Sequence, residues 1–410
     1  MTALHGVHEA NGAKFGQKFG WERVNYFAPG DAAVAKTHTI DAPPAWLNYA
    51  RAEHAHCREN VALFDVSSFA KLLVSGEDAE ACMQRLCCGD VSEVHTATYT
   101  GMLNEAGGYE SDVTVTKLDA TSFLVVAPTG QATRDADWIR RHLTGRDATL
   151  VDVSNQIAVL AVMGPQSRAL LRACVADPAA LDDDAFPFGA SRDLDVGHAT
   201  CRAQRITYVG ELGYELYVPV ESAAHVYRSL HAASQAHATA DLRDGGYYAI
   251  DSLRTEKAYR AWGHELDPTV TPFEAGLAFT IDWSKDFIGK EALEALKTRP
   301  LEQRLVALRV DETRLPIWGN EPVFRNGDLV GNVTTANYAH SLGGQVALAF
   351  VKHPDVGTKG FVAAGDYEID CGGTRVKAKA SLRAPFDPTH KRTKGDYDDA
   401  APPTPRRVAA

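Results

Sequence analysis

From about Leu301 the chain changes texture. EQRLVALRV (302–310), LVGNVTTANY (329–338), QVALAFV (345–351) and YEIDCGGTRVKAKASL (367–382) are short alternating stretches with glycine turns, and few helical patterns remain. That pattern predicts a small β-barrel domain over 299–388. Upstream, strands and helices are mixed. A helix is expected from Ala45 to Ala62, a strand over FDVSSFAKLLVSG (64–76), and a helix over EDAEACMQRLC (77–87). FLVVAP, QIAVLAVM and ITYVGELGYELYVP follow as strands, the last as two strands around a glycine turn. QATRDADWIRRHL, AAHVYRSLHAASQA and GYYAIDSLRTEKAY have helical spacing. The expected layout is an N-terminal arm (1–44), two lobes (45–298), the barrel (299–388) and a disordered Pro-rich, charged tail (389–410).

Size agrees with several domains, since 410 residues exceed what one core usually supports. A formal charge of −11 opposes nucleic acid or an anionic membrane as the main partner, because either needs a basic face. A small anionic ligand remains compatible with local positive groups. No apolar run reaches the ~18–20 residues that span a bilayer, and the first residues lack a secretory apolar core, so a cytoplasmic protein is expected. The seven cysteines are scattered without a C-x-x-C pair, which fits buried free thiols, with Cys87-Cys88 at a helix end.

No P-loop, G-x-G-x-x-G or G-x-S-x-G occurs, and the histidines form no ligand set, so no metal is expected. Polar and aromatic residues at strand ends and turns remain: Tyr99, Asp112, Tyr208, Glu211, Glu215, Arg254 and Tyr259. Each alone is more often structural. Together, aromatics and carboxylates suit a flat heterocycle, stacked on and accepted at its N–H donors. In LNEAGGYESDVTVTKL (103–118), Asp112 follows a Gly107-Gly108 turn as a strand begins.

The motifs YTGMLNEAGGYESDVTV, VMGPQSRALL, ITYVGELGYELYVP, AIDSLRTEKAYRAWGHEL, DFIGKEAL and VGNVTTANYAHSLGGQVALAFV, in that order, closely resemble the aminomethyltransferase family. This is the family of the folate-binding T-protein of glycine cleavage. FGQKFGWERVNYFAPG and LRTEKAYRAWG are more similar to the folate domain of dimethylglycine and sarcosine dehydrogenases. The expectation is a folate domain without the flavin domain of those enzymes. The resemblance implies an α+β, three-lobed folate-binding aminomethyltransferase fold with a C-terminal β-barrel. It also implies tetrahydrofolate as cofactor. Asp112 would lie beside the reactive folate nitrogens and be catalytic, and Tyr99, Tyr208 and Tyr259 would be folate-contacting aromatics. Glu215 would accept from the pterin N–H donors, and Arg254 would supply the positive charge of its helix.

Three departures stand out. T-proteins pair two aspartates where this chain has Ser111 and Asp112; Ile250 replaces an arginine; and Phe386 replaces a tyrosine. The expected function is a tetrahydrofolate-dependent methyltransferase, or demethylase. It would move a methyl group from a small donor such as a methoxylated aromatic acid, giving 5-methyl-tetrahydrofolate. Asp112 would orient the folate nitrogen or take its proton; Tyr208, Tyr248 or an arm histidine would assist the leaving group. One alternative is a one-carbon-trapping subunit that works with a separate N-methyl amine dehydrogenase and forms 5,10-methylene-tetrahydrofolate. The other is a non-enzymatic folate-binding protein. The arm aromatics Trp21, Tyr26 and Phe27 either pack between lobes or meet an aromatic donor.

Overall fold

Alternation along the strand Tyr109–Lys117 divides the protein into a dry layer and a polar one. Val113 and Val115 point into a lobe core with Leu72, Val74, Phe123 and Val125. Asp112 and Thr114 point the opposite way, since successive strand residues face opposite sides of a sheet. The computed structural model describes residues 1–30, 43–236, 240–312 and 314–397.

Two sheets and a barrel make the three lobes. The first sheet has six strands in the order Ser191–Val196, Ala199–Gln204, Gly213–Pro219, Ile157–Met163, Val61–Asp65 and Leu242–Gly245. The second has five: Ala97–Leu103, Tyr109–Lys117, Ser122–Ala127, Ala70–Ser75 and Thr149–Asp152. Apolar residues of both sheets meet in one cluster, with Ala161 and Tyr217 from the first against Leu124 and Val126 from the second. Beyond this dry contact the facing surfaces are polar. Gln204 Nε2 donates across the gap to Thr116 Oγ1 at 2.9 Å.

The change of texture near Leu301 is the barrel. Six strands close on themselves in the order Gln303–Val310, Gly344–Lys352, Asp328–Ala339, Pro322–Arg325, Tyr367–Cys371 and Thr374–Ser381. Closure leaves no open edge, which explains how such short strands hold a sheet.

Three sequence expectations need correction. FDVSSFAKLLVSG is two strands in different sheets, Val61–Asp65 and Ala70–Ser75, separated by a turn at Ser67-Ser68. ITYVGELGYELYVP is a loop followed by one strand, Gly213–Pro219, because Glu211 is drawn into a buried ion network before pairing begins. The tail begins later than 389: Arg392 and Thr393 are buried, and Tyr397 Oη donates to Glu211 Oε2 at 3.1 Å. Residues 398–410 lie outside the described residues.

The arm forms the helix His5–Ala10 and the hairpin Ala13–Lys18/Trp21–Phe27; its residues 31–42 also lie outside the description. Tyr26 stacks on Tyr49 and Tyr248, and the Phe27 amide donates to Glu53 Oε1 at 2.6 Å. Tyr26 and Phe27 thus serve packing. All seven cysteines are unpaired, and every one except the half-buried Cys174 is buried. No helix among the described residues is long and apolar enough to cross a membrane.

Candidate functional site

Asp112 and Tyr99 sit on neighbouring strands with side chains on the same face. Asp112 pairs with Gly101 and Thr114 with Tyr99, so the tyrosine reaches the carboxylate diagonally. Tyr99 Oη donates to Asp112 Oδ2 at 3.2 Å, while the buried Oδ1 has no partner. Burial pushes the Asp112 carboxyl up to about 6, against the opposing effect of the Tyr99 hydroxyl. A carboxyl near that value exchanges a proton at neutral pH, as a general base must. The Tyr99 ring is 40 % exposed, yet surrounding protein raises its hydroxyl pKa well above normal; it lines an opening rather than an outer surface. Beside it lies an open hollow of about 410 Å³, lined by Tyr99, Phe279, Asp90 and Asp282 among others.

The glycine turn lets two backbone segments approach closely. Gly107 has φ +84°, and a Cβ on Gly108 would strike the Pro268 carbonyl. The turn is shaped by close packing on the 268–270 segment, where the Tyr109 amide also donates to the Val270 carbonyl. Asp112 lies four residues beyond Gly108, inside the strand.

Glu215 stands on the other sheet, its strand neighbour Gln204 making the bridge to Thr116. Thr116 and Asp112 are four residues apart on one face, roughly 13 Å along the strand. The two carboxyls therefore stand at separate ends of the polar gap. Glu215 Oε2 accepts the Tyr217 hydroxyl at 2.7 Å, and among the described residues no donor reaches Oε1. Desolvation raises its pKa. A half-satisfied, nearly buried carboxyl is costly unless a donor arrives, and an N–H edge supplies one.

Tyr208 and Tyr259 come together as a stack with centroids 6.0 Å apart, extended by His390 at 6.3 Å from Tyr259. The Tyr208 hydroxyl donates to the Arg260 carbonyl at 2.8 Å, and burial lifts its pKa far above normal. Arg254 lies behind this stack. Its charge acts on Tyr208, but its guanidinium meets Glu265, the Tyr259 carbonyl and Thr335, joining the helix to the barrel. Tyr248 packs on Trp46 and Tyr26, and His8 pairs with Asp65, so both hold the arm.

Two features were missed from sequence. His390 was assigned to the tail, although HKRTKGDY holds Arg392 and Tyr397, which anchor it. Arg260, in AYRAWG, was passed over for Arg254. The departures also acquire reasons. Ser111 faces away from Asp112 and donates to Asp135 Oδ2 at 2.7 Å, so a second acid lies behind the strand. Ile250 is buried in the inter-sheet cluster. Phe386 lies under the Arg58 guanidinium at 4.2 Å, covering the network of Arg58, Glu211, Glu256 and Arg392. Among the described residues no group of His, Cys, Asp or Glu side chains is placed to hold a metal ion.

Comparison with known proteins agrees with this architecture. Residues 4–285 match the GCVT N-terminal domain, and residues 303–387 match the glycine cleavage T-protein C-terminal barrel domain. The 4-methylaminobutanoate oxidase (formaldehyde-forming) of Paenarthrobacter nicotinovorans is 36% identical over 96% of this chain, which spans only 47% of that protein. An aminomethyltransferase of Shouchella clausii is 31% identical, covering 96% of this chain and 98% of its own length. The crystal structure of glycine cleavage system aminomethyltransferase T from Bartonella henselae superposes with a TM-score of 0.77 at 26% identity, covering 94% of this chain and 97% of that one. The unpartnered Oδ1 of Asp112, the open Oε1 of Glu215 and the ring stack fit a reduced pterin. The chain belongs to the tetrahydrofolate-binding aminomethyltransferase (glycine cleavage T-protein) family.

Proposed function

We propose that the protein places on tetrahydrofolate a one-carbon unit that comes from the methyl group of an N-methylated amino acid. Oxidation of the amine falls to an N-methyl amine dehydrogenase, and the product is 5,10-methylene-tetrahydrofolate. Tetrahydrofolate supplies the nucleophilic nitrogens and carries the one-carbon unit away. Asp112 takes up and returns a proton beside them; its free Oδ1 and its pKa of about 6 are the observation that carries this reading. Glu215 fixes the heterocycle through its N–H donors, and Tyr99, Tyr208 and Tyr259 wall its flat faces.

The leading sequence expectation, demethylation of a methoxylated aromatic acid, needs a proton donor for the departing phenolate. Two of the three site tyrosines have committed hydroxyls, Tyr99 to Asp112 and Tyr208 to the Arg260 carbonyl. That favours the trapping reaction, as does the resemblance to a formaldehyde-forming methylaminobutanoate oxidase.

The test is to incubate the full chain with tetrahydrofolate and an N-methyl amino acid, with and without an amine dehydrogenase. Formation of 5,10-methylene-tetrahydrofolate is read by a coupled nicotinamide assay. Enzyme-dependent product only with the dehydrogenase, lost in Asp112→Asn, is expected. Conversion of methoxylated aromatic acids to 5-methyl-tetrahydrofolate without oxidase would overturn the reading.

A further inference from the structure

Glu211, the first acid of GELGYE, is saturated by protein where Glu215 is not. Its Oε1 accepts Arg58 Nη1 at 2.9 Å and Arg392 Nε at 2.8 Å. Its Oε2 accepts Arg392 Nε at 2.9 Å and the Tyr397 hydroxyl at 3.1 Å. Glu211, Arg58 and Arg392 are all buried. Glu256 Oε2 accepts Arg58 Nη2 at 2.9 Å, so two carboxylates balance two guanidinia. Charges are tolerated away from water when paired and hydrogen-bonded in this way.

The network pins the loop 206–212 that carries Tyr208. Arg58 Nη1 also donates to the Val209 carbonyl at 2.7 Å, and the Leu212 amide donates to Tyr397 Oη at 3.1 Å. A Cβ on Gly210 would meet the Lys257 side chain, whose Nζ donates to the Asp387 carbonyl at 2.7 Å and to its Oδ2 at 2.9 Å. These ties lead to Arg58 or to the C-terminal segment Phe386–Tyr397. The Tyr208 hydroxyl is fixed on the Arg260 carbonyl; its backbone is fixed by this loop.

The same segment reaches the far side of the ring stack. His390 lies within 11° of parallel to Tyr259, and Tyr259 within 20° of parallel to Tyr208. His390 has φ +55°, a region that a side-chain-bearing residue enters at a cost. Its amide donates to the Asp387 carbonyl at 3.1 Å, its carbonyl accepts the Thr393 hydroxyl at 2.8 Å, and Asp387 Oδ1 accepts the Lys391 amide at 3.1 Å. These bonds hold the costly conformation, and its result is an exposed imidazole laid on Tyr259.

We propose that Arg392 and His390 are positioning residues for the ligand: Arg392 sets Tyr208 through Glu211, and His390 braces Tyr259. The assignment rests on Tyr208 and Tyr259 as walls of the tetrahydrofolate site, as proposed above. A ring that packs on a flat ligand must stand within a fraction of an ångström of its place, which side chains locked by such ties achieve.

Two double-mutant cycles on the full chain test this, read as tetrahydrofolate affinity by fluorescence quenching well below each variant's thermal midpoint. Arg392→Gln should weaken binding by about threefold to tenfold, the scale of an aromatic contact, and should add no loss in Tyr208→Ala, where no ring remains to be set. His390→Ala should behave alike against Tyr259→Ala. If Arg392→Gln does not fold, Tyr397→Phe removes one tie of the loop without unpairing a buried charge, and its loss should likewise vanish in Tyr208→Ala. Equal losses in both backgrounds would overturn the positioning role and leave a structural one. No loss in the wild-type background would overturn it as well. Tyr208→Ala and Tyr259→Ala that bind tetrahydrofolate as wild type does would overturn the ring walls of the proposed site, and the positioning role with them.

Discussion

The Tyr99 hydroxyl donates to one oxygen of Asp112 at 3.2 Å and leaves the other oxygen, buried and unpartnered, for a ligand. The bond favours the ionised carboxylate, and burial opposes it more strongly, which places the pKa at about 6. Asp112→Asn should therefore slow one-carbon transfer by roughly 10²- to 10⁴-fold, the usual scale for losing a general base, while tetrahydrofolate still binds. Transfer at the wild-type rate would remove Asp112 from the chemistry.

Activity that needs the carboxylate is present above its pKa and falls as the pH drops through about 6. Tyr99→Phe removes the donor that favours ionisation, so the acid limb of the pH–rate profile should move to higher pH. A limb that stays in place would mean that a different group sets it.

Asp135 governs stability rather than rate. It is buried behind Ser111, and desolvation pushes its carboxyl up to about 7 from an ordinary 3.8. The folded state thus binds this proton more tightly than the unfolded state does. Its contribution is complete below the unfolded value and disappears as pH rises through about 7, with a ceiling of ~4 kcal/mol. Asp135→Asn keeps an oxygen for Ser111 and cannot ionise. The variant should melt at a higher temperature than wild type at pH 8, and the gap should shrink at pH 5. Equal gaps at both values would refute the assignment.

Glu215→Gln turns an open acceptor into a mixed amide. With Tyr217 still bound to the amide oxygen, a donor would face the donors of the heterocycle. Tetrahydrofolate affinity should fall by roughly tenfold to a hundredfold, the ~1.5–3 kcal/mol of a hydrogen bond to a charged group. Quenching of protein fluorescence on titration measures it, and an unchanged constant would place Glu215 away from the ligand.

Much of this was legible beforehand. The stretch after Gly107-Gly108 announced a strand near Asp112, although the strand already starts at Tyr109, and the alternating stretches after Leu301 announced the barrel. The loop at 206–212 was misread because its apolar and aromatic residues have strand propensity, whereas Glu211 is claimed by Arg58 and Arg392 from distant parts of the chain. Propensity is local, and that claim is not. Arg260 was equally hidden: only the fold reveals that Arg254 meets Glu265 while Arg260 donates to the Ala275 carbonyl.

Arg392 donates to the main-chain carbonyl of Arg58, which lies 334 residues earlier, and to Glu211 within the loop that carries Tyr208. During synthesis at ~5–20 residues per second, Arg58 waits on the order of 20–70 s for that partner. Both lobes can collapse in the interval, but the loop beside the opening cannot take its final ties. The ligand site is therefore finished late in assembly, and a nascent chain has its cores before it can hold folate.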